Sequence, residues 1–269
     1  MPARIERPSD HPHVAIVTID RPERANSLDP PTLVELARAW REIADDESLR
    51  CAVLTGAGER VFCAGMDMQT TILVSQRLAR GERIDPADFE GLRAVSTATL
   101  TGFDLGKPLV AAVNGHCRAV GLDMLLATEV RIAAPHATFA LEEVARGLYP
   151  TGNATVLLPR QIAWVHAQEL LLTAAPIDAA RAMAIGLVNR VVPTHEVLAE
   201  ALRVADQIAA NAPLAVRETR RGVRELLHLS LDEAWKRQEE LGRPLRKSAD
   251  AAEGARAFLE KRKPKWTGR

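Results

Sequence analysis

Lys107–Ala133 reads KPLVAAVNGHCRAVGLDMLLATEVRIA. Lys107–Val113 is a short apolar run entered through a proline, the pattern of a buried strand. Asn114-Gly115 breaks it. Ala119-Val120-Gly121 then reads as a tight turn into a helix, and the residues beyond it are small or apolar with one exception, Asp123. A carboxylate there is either held by the positive end of the helix or kept for chemistry.

Outward from this stretch the chain alternates. His13–Asp20 (HVAIVTID) is β-branched with a period of two, a strand. After the breaker RPERANSLD, a proline-initiated helix puts Leu33, Leu36, Ala37, Trp40 and Ile43 on one face. Cys51–Gly56 is another buried strand, and AGERVFCAGMDM reads as a loop with a second apolar patch. Gln69–Leu105 is a long polar, mostly helical excursion interrupted around Gly81–Pro86. VRIAA and ATFAL are short strands. From Asn153 onward helices dominate, at Ala163–Thr173, Asp178–Gly186, Glu196–Asn211, Pro213–Leu227, Leu231–Leu245 and Ala249–Lys263, with Val188–Val192 as that half's one strand. The sum is an α/β core over 1–195 and a helical region over 196–269.

Composition narrows the function. Lys+Arg and Asp+Glu are each 35 in 269 residues, so a nucleic-acid binder with a basic excess is not indicated. Cys51, Cys63 and Cys117 show no metal-ligand spacing and read as reduced buried thiols in a cytoplasmic protein. The first ten residues lack an apolar signal core, and no run approaches a membrane span.

Three segments ask for one explanation: Phe62–Met68 (FCAGMDM), the turn before Asp123, and ALEEVARGLYPTGNA with Glu142 and Glu143 just after a strand. Small residues at two turns let a ligand approach two backbone N–H groups, which together stabilise an enolate-type oxyanion. Carboxylates beside them move protons at neighbouring carbons. In this order the motifs resemble the enoyl-CoA hydratase/isomerase (crotonase) superfamily. VAIVTIDRPERANSLD is similar to its opening, FCAGMDM to its Ala-Gly-x-Asp turn, and Lys107–Ala133 to its glycine-rich signature. AFLEKRKPKW is similar to its ending.

The resemblance implies a spiral of β-β-α turns with a C-terminal helical trimerisation region, assembled as a homotrimer or dimer of trimers. It implies an acyl-CoA thioester as substrate, with no metal and no cofactor beyond the CoA that the substrate carries. The Met66 and Val120 amides take the oxyanion-hole positions, and Asp123 and Glu143 the two catalytic acids. Ala25, Ala64, Gly65, Asp67, Met68 and Gly121 fall on positions around the CoA and acyl groove. Phe258 and Lys261 fall on C-terminal positions that reach CoA, commonly a neighbour's.

Two departures bear on the chemistry. The family's triple glycine is Ala119-Val120-Gly121, and valine prefers φ < 0. Asp123 replaces glutamate, which shortens the acid's reach by about 1–1.5 Å, and such a misplacement can cost ~10²-fold in rate. The expected activity is hydration of a 2-trans-enoyl-CoA. The alternatives are Δ3,Δ2 isomerisation by Glu143 alone, a non-catalytic acyl-CoA-binding member, and a carbon–carbon hydrolase hinted at only by His116. Read singly, Glu143 and Lys261 are also what solvated helix ends carry, Glu142 lies one register step from Glu143, and Tyr149 and Trp235 are expected to pack.

Overall fold

The computed structural model describes all 269 residues. Strand β1 (Ala3–Glu6) lies antiparallel to β2 (Val14–Ile19). Helix α1 (Pro30–Asp45) carries the chain to β3 (Cys51–Gly56), parallel to β2, and a sharp bend leads into β4 (Val61–Cys63) of a second sheet. A π-helical turn at Met68–Ile72, α2 (Leu73–Ala79) and α3 (Pro86–Ala98) follow. The step repeats with β5 (Leu109–Val113), β6 (His116–Arg118) and α4 (Val120–Leu126), then with β7 (Val130–Ala133) and β8 (Thr138–Ala140). Next come α5 (Ala154–Gln161), α6 (Trp164–Thr173), β9 (Ile177–Asp178), α7 (Ala179–Ala184) and β10 (Arg190–Val191). Four helices finish the chain: α8 (Val197–Ala209), α9 (Pro213–Leu226), α10 (Leu231–Leu245) and α11 (Ala249–Leu259).

Each spiral turn thus gives one strand to a large sheet, order β1-β2-β3-β5-β7-β10, and one to a small sheet, order β4-β6-β8-β9. The large sheet is covered on both faces, so β3 and β5 are buried throughout. That is why CAVLTG and LVAAV read as unbroken apolar runs instead of alternating ones. On the inner face α1 buries Leu33, Leu36, Ala37, Trp40 and Ile43 as its periodicity predicts. Asp29 caps it by accepting the Thr32 N–H at 2.9 Å. The Trp40 indole donates to Ala98 O at 3.0 Å and ties α1 to the end of α3.

The outer face is covered by α8, whose Val197, Ala201, Val204 and Ala205 pack on Val14, Val53, Val110 and Ile132. Sequence grouped α8 with the C-terminal helices, yet it shares a core with the spiral. Three strands, β4, β6 and β9, stand where sequence reads loop, turn or helix. Each is two or three residues long, too short for periodicity to register. Helix α5, eight residues long, also lies outside the helices that the sequence pattern marks. Helix α11 ends at Leu259, short of Lys263, and Lys261 has φ 52°, a conformation that ends helices. Trp235, expected to pack, is 63% exposed. No helix is long and apolar enough to cross a membrane.

Candidate active site

Strand β4 delivers the first turn, Ala64–Asp67, and its amides account for themselves one by one. Ala64 N–H donates to Ala25 O, Gly65 N–H to Cys63 Sγ at 3.4 Å, and Asp67 N–H to Leu28 O. Met66 N–H, outside every helix and strand ladder, has no protein acceptor. Gly65 has φ 99°, which a side chain would strain. The Asp67 carboxylate faces inward and accepts the Gln69 and Thr70 N–H groups, with Arg21, Arg24 and Ser27 around it. Burial alone would raise its pKa, but the Gln69 amide and Arg24 outweigh burial and lower it.

Strand β6 delivers the second turn. Ala119 N–H is fixed to Ala140 O, and Ala119 O accepts from both Leu122 and Asp123. Ala119 takes the strained backbone, φ 46° and ψ −122°, so Val120 enters α4 as an ordinary helical residue. The valine that sequence marked as a conformational risk is relieved by the alanine before it. As the first residue of α4, Val120 has no intrahelical acceptor for its N–H. The two turns touch: a Cβ placed on Gly65 would lie 3.0 Å from Ala119 Cβ and 3.7 Å from Val120 N. Gly121 packs on β4, where an added Cβ would meet Cys63 O at 2.7 Å. Met66 and Val120 rest their side chains on the main core, and the two turns that carry these unpaired donors pack against each other.

The acids stand next to them. Asp123 is 2% exposed. Its Oδ1 accepts the Ala154 N–H at 2.6 Å, at the start of α5, and Asn153 Nδ2 donates to its backbone oxygen at 2.9 Å. Burial pushes its carboxyl up to about 7, the Ala154 amide opposes that, and the nearby Glu143 charge adds to the rise. Glu143 begins a single helical turn after β8, its carbonyl pinned by the Arg146 and Leu148 amides. Its Oε2 is buried with no partner, and burial raises its pKa. Glu142 pairs with Arg146 instead. A buried carboxylate oxygen without a protein partner has an acceptor site left for water or a ligand, and a raised pKa suits such a group to proton transfer.

The structure brings Ala25, Ala64, Gly65, Met66, Val120, Gly121, Asp123 and Glu143 together. Asp67 braces the first turn from inside, and Met68 is half exposed beyond it. Phe258 and Lys261 are not drawn in: they sit exposed at the end of α11, whose tail is tied to Ala210 and Arg50. His116 is satisfied by Thr138 Oγ1 at 2.8 Å, and Arg118 shares that hydroxyl. Tyr149 is 70% exposed.

Sequence reasoning missed the floor beneath Asp123. Nothing local in the Thr-Gly-Asn run before α5 ties it to residue 123. A Cβ on Gly152 would lie 2.3 Å from Asp123 Oδ2. Gly152→Ala therefore displaces the carboxylate, and kcat is expected to fall about 10²-fold with the melting temperature lowered. A variant with unchanged kcat would show that this contact leaves the acid's position untouched.

Comparison with known proteins identifies the family. Residues 10–269 match the family model described as enoyl-CoA hydratase/isomerase. The chain is 39% identical over 257 residues to the enoyl-CoA hydratase EchA19 of Mycobacterium tuberculosis, covering 96% of this chain and 94% of that one. It is 39% identical over 259 residues to the carnitinyl-CoA dehydratase of Proteus mirabilis, covering 94% of each. The crystal structure of an enoyl-CoA hydratase from Bacillus anthracis superposes with a TM-score of 0.90 at 30% identity, over 100% of both chains. Its β-β-α spiral, paired turns and near-complete match make this chain a member of the enoyl-CoA hydratase/isomerase (crotonase) family.

Proposed function

We propose that the protein adds water across the 2,3 double bond of a 2-trans-enoyl-CoA, and runs the reverse dehydration through the same site. The Met66 and Val120 N–H groups donate to the thioester oxygen as it gains charge. Glu143 takes a proton from water, and the water oxygen bonds to C3. The electron pair moves through C2 onto the thioester oxygen. Asp123 orients the water, and the acid pair returns one proton to C2, restoring the thioester. The unpartnered Oε2 of Glu143, electrostatically coupled to Asp123, carries this reading. The thioester itself serves as electron sink, so no added cofactor has a step to perform.

One observation favours a second reading. Asp123 is short, bound to the Ala154 amide and set against Gly152, which leaves Glu143 the freer acid. A 2,3–3,4 isomerase needs only one shuttle. Product mass separates the two: hydration adds one water, isomerisation adds nothing. A panel of 2-enoyl- and 3-enoyl-CoA esters is expected to give the hydrated mass from the 2-enoyl esters. A set of products at the substrate mass alone would replace hydration by isomerisation, and absence of any product would remove both.

Exposed Leu227, Leu231, Trp235 and Phe258 on α9 to α11 support a homotrimer or dimer of trimers built through this region. Three buried free thiols support a reducing, cytoplasmic setting.

A further inference from the structure

One residue touches both donor turns without touching substrate space. Cys63 ends β4, is fully buried and faces Cys117 across the β4–β6 ladder. Its sulfur accepts the Gly65 N–H at 3.4 Å. Its carbonyl and Cβ are also the atoms that Gly121 packs against, at the second turn. Burial pushes its thiol up to about 12, so it stays neutral and inert as a nucleophile.

The first turn shows what the sulfur does. Of four consecutive amides, Ala64 and Asp67 are fixed to backbone carbonyls and Gly65 to Cys63 Sγ, and Met66 alone is left free. Without the sulfur, Gly65 N–H becomes a buried donor with no acceptor, next to the peptide that carries the Met66 N–H. Gly65, at φ 99°, is the most compliant residue of the turn. Its peptides can then rotate toward any available oxygen, including the one the site is meant to bind.

We propose that Cys63 is a positioning residue that fixes the direction of the Met66 N–H through the Gly65 amide and sets its spacing from Val120 through Gly121. This rests on the oxyanion reading above, and the experiment separates the two. Cys63→Ala and Cys63→Ser are compared with the unaltered enzyme by kcat, KM, thermal midpoint and the absorption of bound para-dimethylaminocinnamoyl-CoA. That thioester shifts to the red as its carbonyl is polarised. A red shift in the unaltered enzyme tests the oxyanion reading, and its absence overturns both claims. Given that shift, Cys63→Ala is expected to lose about tenfold or more in kcat and most of the red shift, with KM within about twofold. Cys63→Ser, which restores an acceptor, is expected to recover both. Full kcat and full red shift in Cys63→Ala would overturn the positioning role and leave the oxyanion reading standing. So would losses in Cys63→Ser as large as in Cys63→Ala, since the acceptor would then not be the cause.

Discussion

Glu143→Gln lowers kcat for enoyl-CoA hydration by about 10³-fold, the scale of a lost general base, and leaves KM within a fewfold. The amide is nearly the same size, so turns and pocket keep their shape. What disappears is the one buried acid oxygen that has no protein partner. The Glu143 charge also adds to the rise that burial causes at Asp123. The acidic limb of the pH–rate profile should therefore change along with its height. On the proposed mechanism Glu143 works as a base only when ionised, and burial holds its pKa above the usual glutamate range. Activity should rise with pH through that raised value, and in Glu143→Gln this limb should vanish. Loss of the conjugated-thioester absorbance of crotonyl-CoA at an undiminished rate would remove Glu143 from the chemistry.

The sequence displays this site unevenly, for reasons of length and distance. Helix α1 and strands β2, β3 and β5 were legible because burial stamps a period of 3.6, a period of two or a continuous apolar run over five or more residues. The small sheet was not, since a three-residue strand such as Val61–Cys63 carries no period. The spiral repeat also leaves no repeated residues behind it. What repeats is the bend from one sheet to the other, and each bend uses different side chains. The acids were visible as residues out of place, Asp123 in an apolar helix and Glu143 after a strand. What holds them was not. Gly152 and Ala154 lie about thirty positions beyond Asp123 and become its neighbours only when α5 docks. In sequence Cys63 is an ordinary buried thiol, and only the folded turn sets the Gly65 amide on its sulfur.

Asp123→Asn is expected to do two opposite things. On the proposed mechanism hydration falls by about 10²–10³-fold, because one of its two proton-handling groups is gone. Isomerisation of a 3-enoyl-CoA, if Glu143 performs it alone, survives. Stability moves the other way. Asp123 is raised by burial first and by Glu143 among the other causes, to about 7 in the folded chain. An unfolded aspartate titrates near ~3.9. Between these values the folded protein holds a proton that the unfolded chain has released. The slope of unfolding free energy with pH is then negative, and stability falls as pH rises from about 4 to about 7. At ~1.36 kcal/mol per pH unit this amounts to as much as about 4 kcal/mol at pH 8, with none of it lost below pH 4. Asparagine carries no charge at any pH, and its side-chain oxygen can still accept the Ala154 N–H. Denaturant unfolding should therefore find Asp123→Asn more stable than the parent at pH 8 and equal to it near pH 4. A variant less stable at pH 8 would mean that ionised Asp123 is held comfortably in the fold. The raised carboxyl would then have to be given up as the reason this acid can pass a proton at neutral pH.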